Sequence, residues 1–554
     1  MSDVPHNIGQ PAPAPALPDI DPAEPTTPHT DAPHTATPEP ATPDASANPD
    51  AAGSTALVIN QSATVKARRE GQPATPLTRG DGGTIDARRP RTNEEDETVS
   101  INQKARAIAS DPGLWKAAAT IPLKAATGRP GHNPRWLMLL VSTLATQTGT
   151  QRSAIAYLAD PVQWAHYRDY LNSHRPPELP EAPVKPPARH HLSHFLRIWK
   201  SDKWQPHREA AARAAADHAL QVAHDMGHFN PDQPLKYNEV DPAQWLTIDG
   251  TVYGSPSKRR KDDGGRYDPA SAWHAKGGAP GGLAYGSKFS LCETVTDQYN
   301  EQLVLSFQHV TTGEGEAAAS LNLCLDLKQR APGIRGVTSD TAFRGTHNRT
   351  LTQAGVLVVS YPAAATNPNR ATGGRLAEGR TERNHKIRTH THTANGRECR
   401  HVLRMEGSVP VQETYDAVGD VTLQALDPVG YVHRHNRDGS HTYYLKCRVA
   451  CRRGDTETLI RLDDHADGDL QGWSRAELAR FYPVGTLQFD YLAGRRNSSE
   501  SLHSKMKRTM PRLPAYGAAA QELFILGYQI ANNAIAAAQY ARRRGQPNAL
   551  DGTL

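Results

Sequence analysis

The chain has 554 residues, with 63 Lys and Arg against 58 Asp and Glu and a net charge of +5. It has no apolar run near the roughly 20 residues of a membrane helix. Its opening, MSDVPHNIGQPAPAPALPDIDPAEP, lacks the basic start and apolar centre of a secretion signal, and five scattered cysteines make no disulfide framework. A membrane-spanning helix and a disulfide scaffold are thereby excluded, and a cytoplasmic protein is expected.

Residues 1–100 are rich in Pro, Ala, Thr and Asp and poor in large apolar side chains. Such a segment cannot bury enough surface to offset its chain entropy, so a disordered acidic tail is expected. Residues 1–50 hold eight acids (Asp3, Asp19, Asp21, Glu24, Asp31, Glu39, Asp44, Asp50) and no Lys or Arg, which leaves +13 on residues 51–554. A basic body of this kind suits a polyanion such as nucleic acid. Ordinary solubility charge is the alternative.

Residues 101–235 read as all-helical, with apolar positions recurring at three and four and Pro-rich linkers such as RPPELPEAPVKPP between the groups. In VSTLATQTGTQRSAIAYL, Ala145, Gly149, Ile155 and Leu158 have the spacing of two short helices joined by a glycine turn. Either this is a helix-turn-helix offering Thr150, Gln151, Arg152 and Ser153 to DNA, or it is an ordinary helical hairpin.

From residue 236 to 370 the period changes. WLTIDGTVYG, KFSLCETVTD and QLVLSFQHV are short β-rich runs that suit an antiparallel meander. IRGVTSDTAF and GVLVVSYPA follow, separated by the helical pieces EAAASLNLCLDLKQRAP and NRTLTQAG. That order predicts an α/β fold with a mixed sheet and helices on its faces. Residues 371–489 form a β-rich insertion in which Asp438-Gly439 supplies a hairpin turn. Helices return in residues 490–545.

Two acids stand out. Asp249 lies inside the apolar run WLTIDGTVYG, and Asp340 ends IRGVTSDTAF, where a strand meets a loop. The carboxyl ends of strands are where sites form in open α/β sheets. A third, Glu500, lies in RRNSSESLHSKMKR, where helical spacing places Arg496, Glu500 and Lys507 on one face. Three acids from three elements can hold two divalent ions for phosphoryl transfer.

These residues resemble the DDE transposases of bacterial insertion sequences. In that family the first Asp lies on the first strand, the second follows the fourth strand, and the Glu sits on a helix after a large β-rich insertion. Arg496, Glu500 and Lys507 match the R-x3-E-x6-K part of a family signature, while its tyrosine position is Ala493 and the nearest tyrosine is Tyr491. The resemblance covers residues 104–545. It implies an RNase H-like catalytic core, Mg²⁺ or Mn²⁺ held by Asp249, Asp340 and Glu500, and DNA phosphate held by Arg496 and Lys507. It further implies cleavage at transposon ends, strand transfer into target DNA, and a homodimer or larger assembly on paired terminal inverted repeats in the nucleoid. Two alternatives are a catalytically silent, transposase-derived DNA-binding protein and an RNase H-like nuclease acting on RNA–DNA hybrids.

Other signals are weaker. The run Lys258, Arg259, Arg260 and Lys261 can contact phosphate backbone or be a solvated charge run. The insertion gathers His385, His390, His392, Cys399, His401, His433, His435, His441, Cys447 and Cys451, residue types that suit zinc, although no C-x2-C pair is present. Trp473, Phe481 and Tyr482 either stack on bases or form a small core.

Overall fold

The computed structural model describes residues 77–78, 84–85, 99–123, 133–258, 264–275, 282–296, 298–311, 315–340, 342–362, 384–415, 417–464, 476 and 478–552. The expected tail, apart from a few residues, and Arg259, Arg260, Lys261 and Trp473 lie outside that set, as does the side chain of His385. The fold is mixed α/β, and among the described residues there are eleven α-helices. None of them is long and apolar enough to cross a membrane.

Seven helices come first: α1 (Ile101–Ser110), α2 (Pro112–Ala119), α3 (Arg135–Thr148), α4 (Gln151–Ala159), α5 (Pro161–His174), α6 (Arg189–Trp199) and α7 (Gln205–Asp225). Their ends follow local chemistry. Ser100 and Gln103 close a reciprocal capping box on α1, and Asp160 accepts two backbone N–H groups at the start of α5. Gly149 ends α3 at φ 89°, a conformation that costs glycine no Cβ clash.

These helices do not close a core by themselves. Trp136, Leu139, Leu140, Leu158 and Trp199 share one buried cluster with Leu523, Phe524 and Ile530 of the C-terminal helix α11 (Ala518–Arg543). At Gly527 the backbones come so close that a Cβ would lie 2.9 Å from Thr143 Cα, so only glycine lets α3 and α11 approach this far. The apolar face of the last helix is therefore completed by the first ones.

The central sheet has six strands: β1 (Trp245–Gly254), β2 (Ala272–Ala275), β3 (Leu283–Thr294), β4 (Val304–His309), β5 (Gly336–Thr338) and β6 (Leu357–Val359). Its order is β2-β3-β1-β5-β6, with β4 also paired to β3. β1, β3 and β4 form the expected antiparallel meander. β5 and β6 join β1 in parallel through α8 (Gly315–Arg330) and α9 (Gly345–Gln353). The short edge strand β2 was not expected from the sequence.

The insertion builds two antiparallel sheets. One has the order β10-β9-β8-β7 and uses β7 (Asn384–Ala394), β8 (Arg397–Glu406), β9 (Val409–Tyr415) and β10 (Val421–Ala425). The other has the order β11-β12-β13 and uses β11 (Asp427–His435), β12 (His441–Val449) and β13 (Thr456–Arg461), with Gly439 at φ 82° in the β11–β12 turn. Phe481 and Tyr482 are buried in the core they share with Trp245, Leu403 and Leu445, so these two aromatics pack rather than face a partner. The chain then enters α10 (Leu487–Thr509), which lies against β1.

Candidate active site

The parallel pairing of β1 and β5 sets up the site. Thr247 is opposite Thr338, so Asp249 and Asp340 each stand two residues beyond a matched pair. Side chains two apart share a face of a sheet; Asp249 stands midway along β1, and Asp340 lies just past the carboxyl end of the adjacent parallel β5. Asp340 is held at the strand exit by a turn in which its Oδ1 accepts the Ala342 N–H at 2.7 Å.

The carboxylate that completes this pair is Glu316, in the first turn of α8. Oxygens of Asp249, Glu316 and Asp340 all lie within 4.8 Å of one another. Gly250 makes room for Glu316: a Cβ there would lie 2.1 Å from its Oε1. The ammonium of Lys288, from β3, pairs with Glu316. Burial pushes the Glu316 carboxyl up, Lys288 pulls it down, and the charges of Asp340 and Asp249 push it up again, leaving it above its ordinary value. A Gly250→Ala substitution is expected to displace the Glu316 carboxylate. Mn²⁺ titration should then show at least a tenfold weaker affinity, on the order of 1.4 kcal/mol, with an unchanged circular dichroism spectrum.

α10 crosses this cluster with one stripe of side chains. The Arg496 guanidinium lies 4.0 Å from Asp249 Oδ1, Ser499 Oγ is 3.0 Å from Thr247 Oγ1, and His503 Nδ1 is 3.5 Å from Asp249 Oδ2. Lys507 Nζ sits 5.7 Å from the centre of the Tyr253 ring. Burial lowers the Lys507 pKa, and the charge of Asp249 opposes that shift.

His503 also forms an ion pair at 3.0 Å with Glu293, an acid with no exposed surface. Burial alone would lower the imidazole's pKa, but Glu293 and Asp249 outweigh it and hold it at about 9. For Asp249, burial pushes the carboxyl up. Its contact with His503, the charges of His503 and Arg496, and the Gly250 N–H more than offset this, so it stays below its ordinary value.

Glu500 stands just outside the cluster. Its carboxylate is 56% exposed and pairs with Arg496 at 2.8 Å, so one guanidinium lies between it and Asp249. It lines an open groove with Asn497, Ser501, Ser504 and Arg508. Arg496 and Lys507 do lie on the sheet-facing stripe with His503. Sequence reasoning passed over Glu316, Lys288, Glu293 and His503. His503 alone carried a signal, since it falls seven residues after Arg496 and four before Lys507.

The remaining sequence candidates are more dispersed. Lys258 is exposed. In α4, Gln151 Nε2 donates to Pro514 O at 2.9 Å and the Ser153 hydroxyl is bonded to Thr150 at 2.7 Å, which leaves Arg152 as the exposed member of the trio. The α3–α4 turn rests on the end of α10, where a Cβ on Gly149 would lie 2.8 Å from Thr509 O.

The donors near Asp249 suit a hard cation, because carboxylate oxygens are the ligands Mg²⁺ and Mn²⁺ prefer. Three carboxylates this close repel one another, and a divalent cation relieves that repulsion. No family model, curated protein or solved structure matches the chain.

Proposed function

We propose that this chain is a DDE-type DNA transposase, with an RNase H-like core that cleaves at transposon ends and joins them to target DNA. The observation that carries the reading is the convergence of Asp249, midway along β1, and Asp340, just past the end of the adjacent parallel β5, beneath a helix bearing Arg496, Glu500 and Lys507. The sheet order supports the same reading. With the short β2 set aside as an edge addition, Asp249 is on the first strand and Asp340 follows the fourth.

Asp249, Asp340 and Glu316 would hold Mg²⁺ or Mn²⁺, which supplies activation of a water or 3′-hydroxyl and stabilisation of the leaving oxygen. The chain's own groups do the rest. Arg496 and Lys507 bind the phosphate next to the scissile bond, and His503 fixes the orientation of Asp249. A DNA phosphate competes with Glu500 for Arg496, because guanidinium pairs well with either anion. Released from Arg496, Glu500 turns from the groove toward Asp249 and joins the acid set. Paired terminal inverted repeats and at least two protomers are the expected assembly, with Arg152 of α4 and Lys258 as backbone contacts.

One observation favours a second reading. Glu316, not Glu500, is the carboxylate in reach of both aspartates, and a hydrolytic nuclease would need only those three acids.

The test incubates purified protein with labelled DNA carrying the gene's own flanks, in Mg²⁺ or Mn²⁺, beside an Asp249→Asn variant. Metal-dependent cleavage at the flank ends, lost in the variant, is the expected result. Cleavage of an RNA–DNA hybrid in place of the flanks would establish the nuclease. DNA binding without cleavage of either would indicate a silent, DNA-binding descendant.

A further inference from the structure

The β-rich insertion carries a second cluster of ligating side chains, chemically unlike the first. In the β7–β8 hairpin, His392 is opposite Cys399 and His390 is opposite His401. Residues two apart on a strand, and residues opposite each other across a ladder, share a face. All four side chains therefore project to one side of the sheet. The hairpin turn enforces this register: Asn395 and Gly396 have φ of 51° and 70°, as a tight two-residue connection requires.

A third element reaches that face from the other sheet of the insertion. Cys451 lies in the loop between β12 and β13. The loop is fixed by the Cys451 N–H donating to Asp455 Oδ1 at 3.2 Å and the Gly454 N–H donating to Cys451 O at 3.0 Å. Arg453 from the same loop contacts Cys399 Sγ at 3.8 Å. A ligand atom of Cys451 and one each of His392 and His401 lie within 4.8 Å of one another.

The spacing of the two imidazoles is informative. His392 Nε2 and His401 Nε2 are 3.3 Å apart. Two nitrogens bound tetrahedrally to one zinc at about 2.0–2.1 Å lie about 3.3–3.4 Å apart. A shared hydrogen bond between the imidazoles would also allow this distance, but it would not require a thiol beside them. His390 supplies a further sign, since its Nε2 is buried with no hydrogen-bond partner among the described residues. Its ring centre lies 6.1 Å from that of His392 and 6.4 Å from that of His401.

We propose that His392, His401 and Cys451 bind a structural Zn²⁺ that ties the four-stranded and three-stranded sheets of the insertion together, with His390 beside them on the same face of the hairpin. Imidazole and thiolate donors select zinc over the hard cations that suit the acidic cluster, so the two sites sort metals by ligand type. The zinc fastens the β12–β13 loop to the β7–β8 hairpin. Direct bonds across the same boundary, such as Gln412 Nε2 to Ala450 O at 3.2 Å and Arg388 to Leu459 O at 3.0 Å, show that the two sheets already meet there.

The test uses the full chain, expressed with added zinc and dialysed exhaustively against metal-free buffer, with metal content measured by mass spectrometry. About one zinc per chain should be retained. It should survive Asp249→Asn, while Cys451→Ser and His401→Ala should weaken zinc affinity at least about 100-fold in competition with a chromophoric chelator. Substitution with Co²⁺ should give wild-type protein a thiolate-to-metal absorption band that Cys451→Ser lacks. If either variant fails to fold, the cobalt spectrum of the wild type decides alone. Wild-type protein with zinc no higher than the buffer blank, or a cobalt spectrum without a thiolate band, would overturn the proposal. Undiminished zinc in Cys451→Ser would do the same.

Discussion

Glu500→Gln is expected to lower metal-dependent cleavage of flank DNA by about 10³-fold or more, a loss on the order of 4 kcal/mol in transition-state stabilisation. Glu316→Gln is expected to lower it by about 10- to 100-fold and to raise the metal concentration needed for half-maximal rate. The difference follows from where each carboxylate sits. Glu316 is already beside Asp249 and Asp340, within 4.8 Å, and is paired with Lys288, so its removal weakens metal binding but leaves two aspartate ligands. Glu500 is bound to Arg496 at 2.8 Å in the structure, and on the proposed mechanism it would enter the acid set only when DNA phosphate takes over that guanidinium. It therefore acts in the DNA complex, where the barrier is set. Single-turnover cleavage across a Mn²⁺ titration separates the two effects. The reverse pattern, with Glu316→Gln inactive and Glu500→Gln near wild type, would give the site to the nuclease reading.

Removal of the His503 imidazole has the largest expected effect on stability. His503→Ala leaves Glu293, which has no exposed surface, without its cationic partner. Breaking a buried pair in this way costs about 3–5 kcal/mol. Gln302 Nε2 still donates to Glu293 Oε2 at 2.7 Å, but a neutral amide does not neutralise the carboxylate. The pH dependence carries its own signature. The folded-state pKa of His503 is raised to about 9 from an ordinary 6.5. Its contribution is therefore fully present below pH about 6.5 and is lost as pH rises through about 9. In a chelating buffer, wild-type protein should lose on the order of 3 kcal/mol of stability across that window. His503→Gln should abolish the slope as well as lower the plateau. Denaturant unfolding at a series of pH values measures both. A variant that keeps the wild-type slope would show that another group titrates there.

Much of the fold was legible because it depends on short-range patterns. Alternating apolar runs marked β1, β3 and β4, and a 3.6-residue period marked α8, α10 and α11. What could not be read were contacts between distant segments. α11 looked like an ordinary apolar helix, yet its buried face is completed by α3, nearly four hundred residues earlier, through a close approach that only Gly527 permits. Phe481 and Tyr482 were expected either to stack on bases or to form a small core, and nothing local shows that the core they join includes Trp245 and Leu445.

The candidate site divides in the same way. Asp249, Asp340, Arg496 and Lys507 were identifiable from an acid inside an apolar strand, an acid at a strand exit and a helical spacing, each a property of a few consecutive residues. Which carboxylate lies beside the two aspartates was a matter of tertiary structure. An acid in the first turn of a helix, as Glu316 is, is common on any protein surface, and only the packing of α8 on the sheet, with no side chain at Gly250 in the way, brings it against the two aspartates. Glu500 and His503 are three residues apart on one helix, a net offset of roughly 60° around its axis, and that is enough to separate solvent from core. Local residue spacing set the period of each element and the chemistry it could offer. The packing of α10 on β1 decided that His503 is buried against Asp249 and Glu293 while Glu500 faces the groove, because burial depends on what lies opposite a side chain.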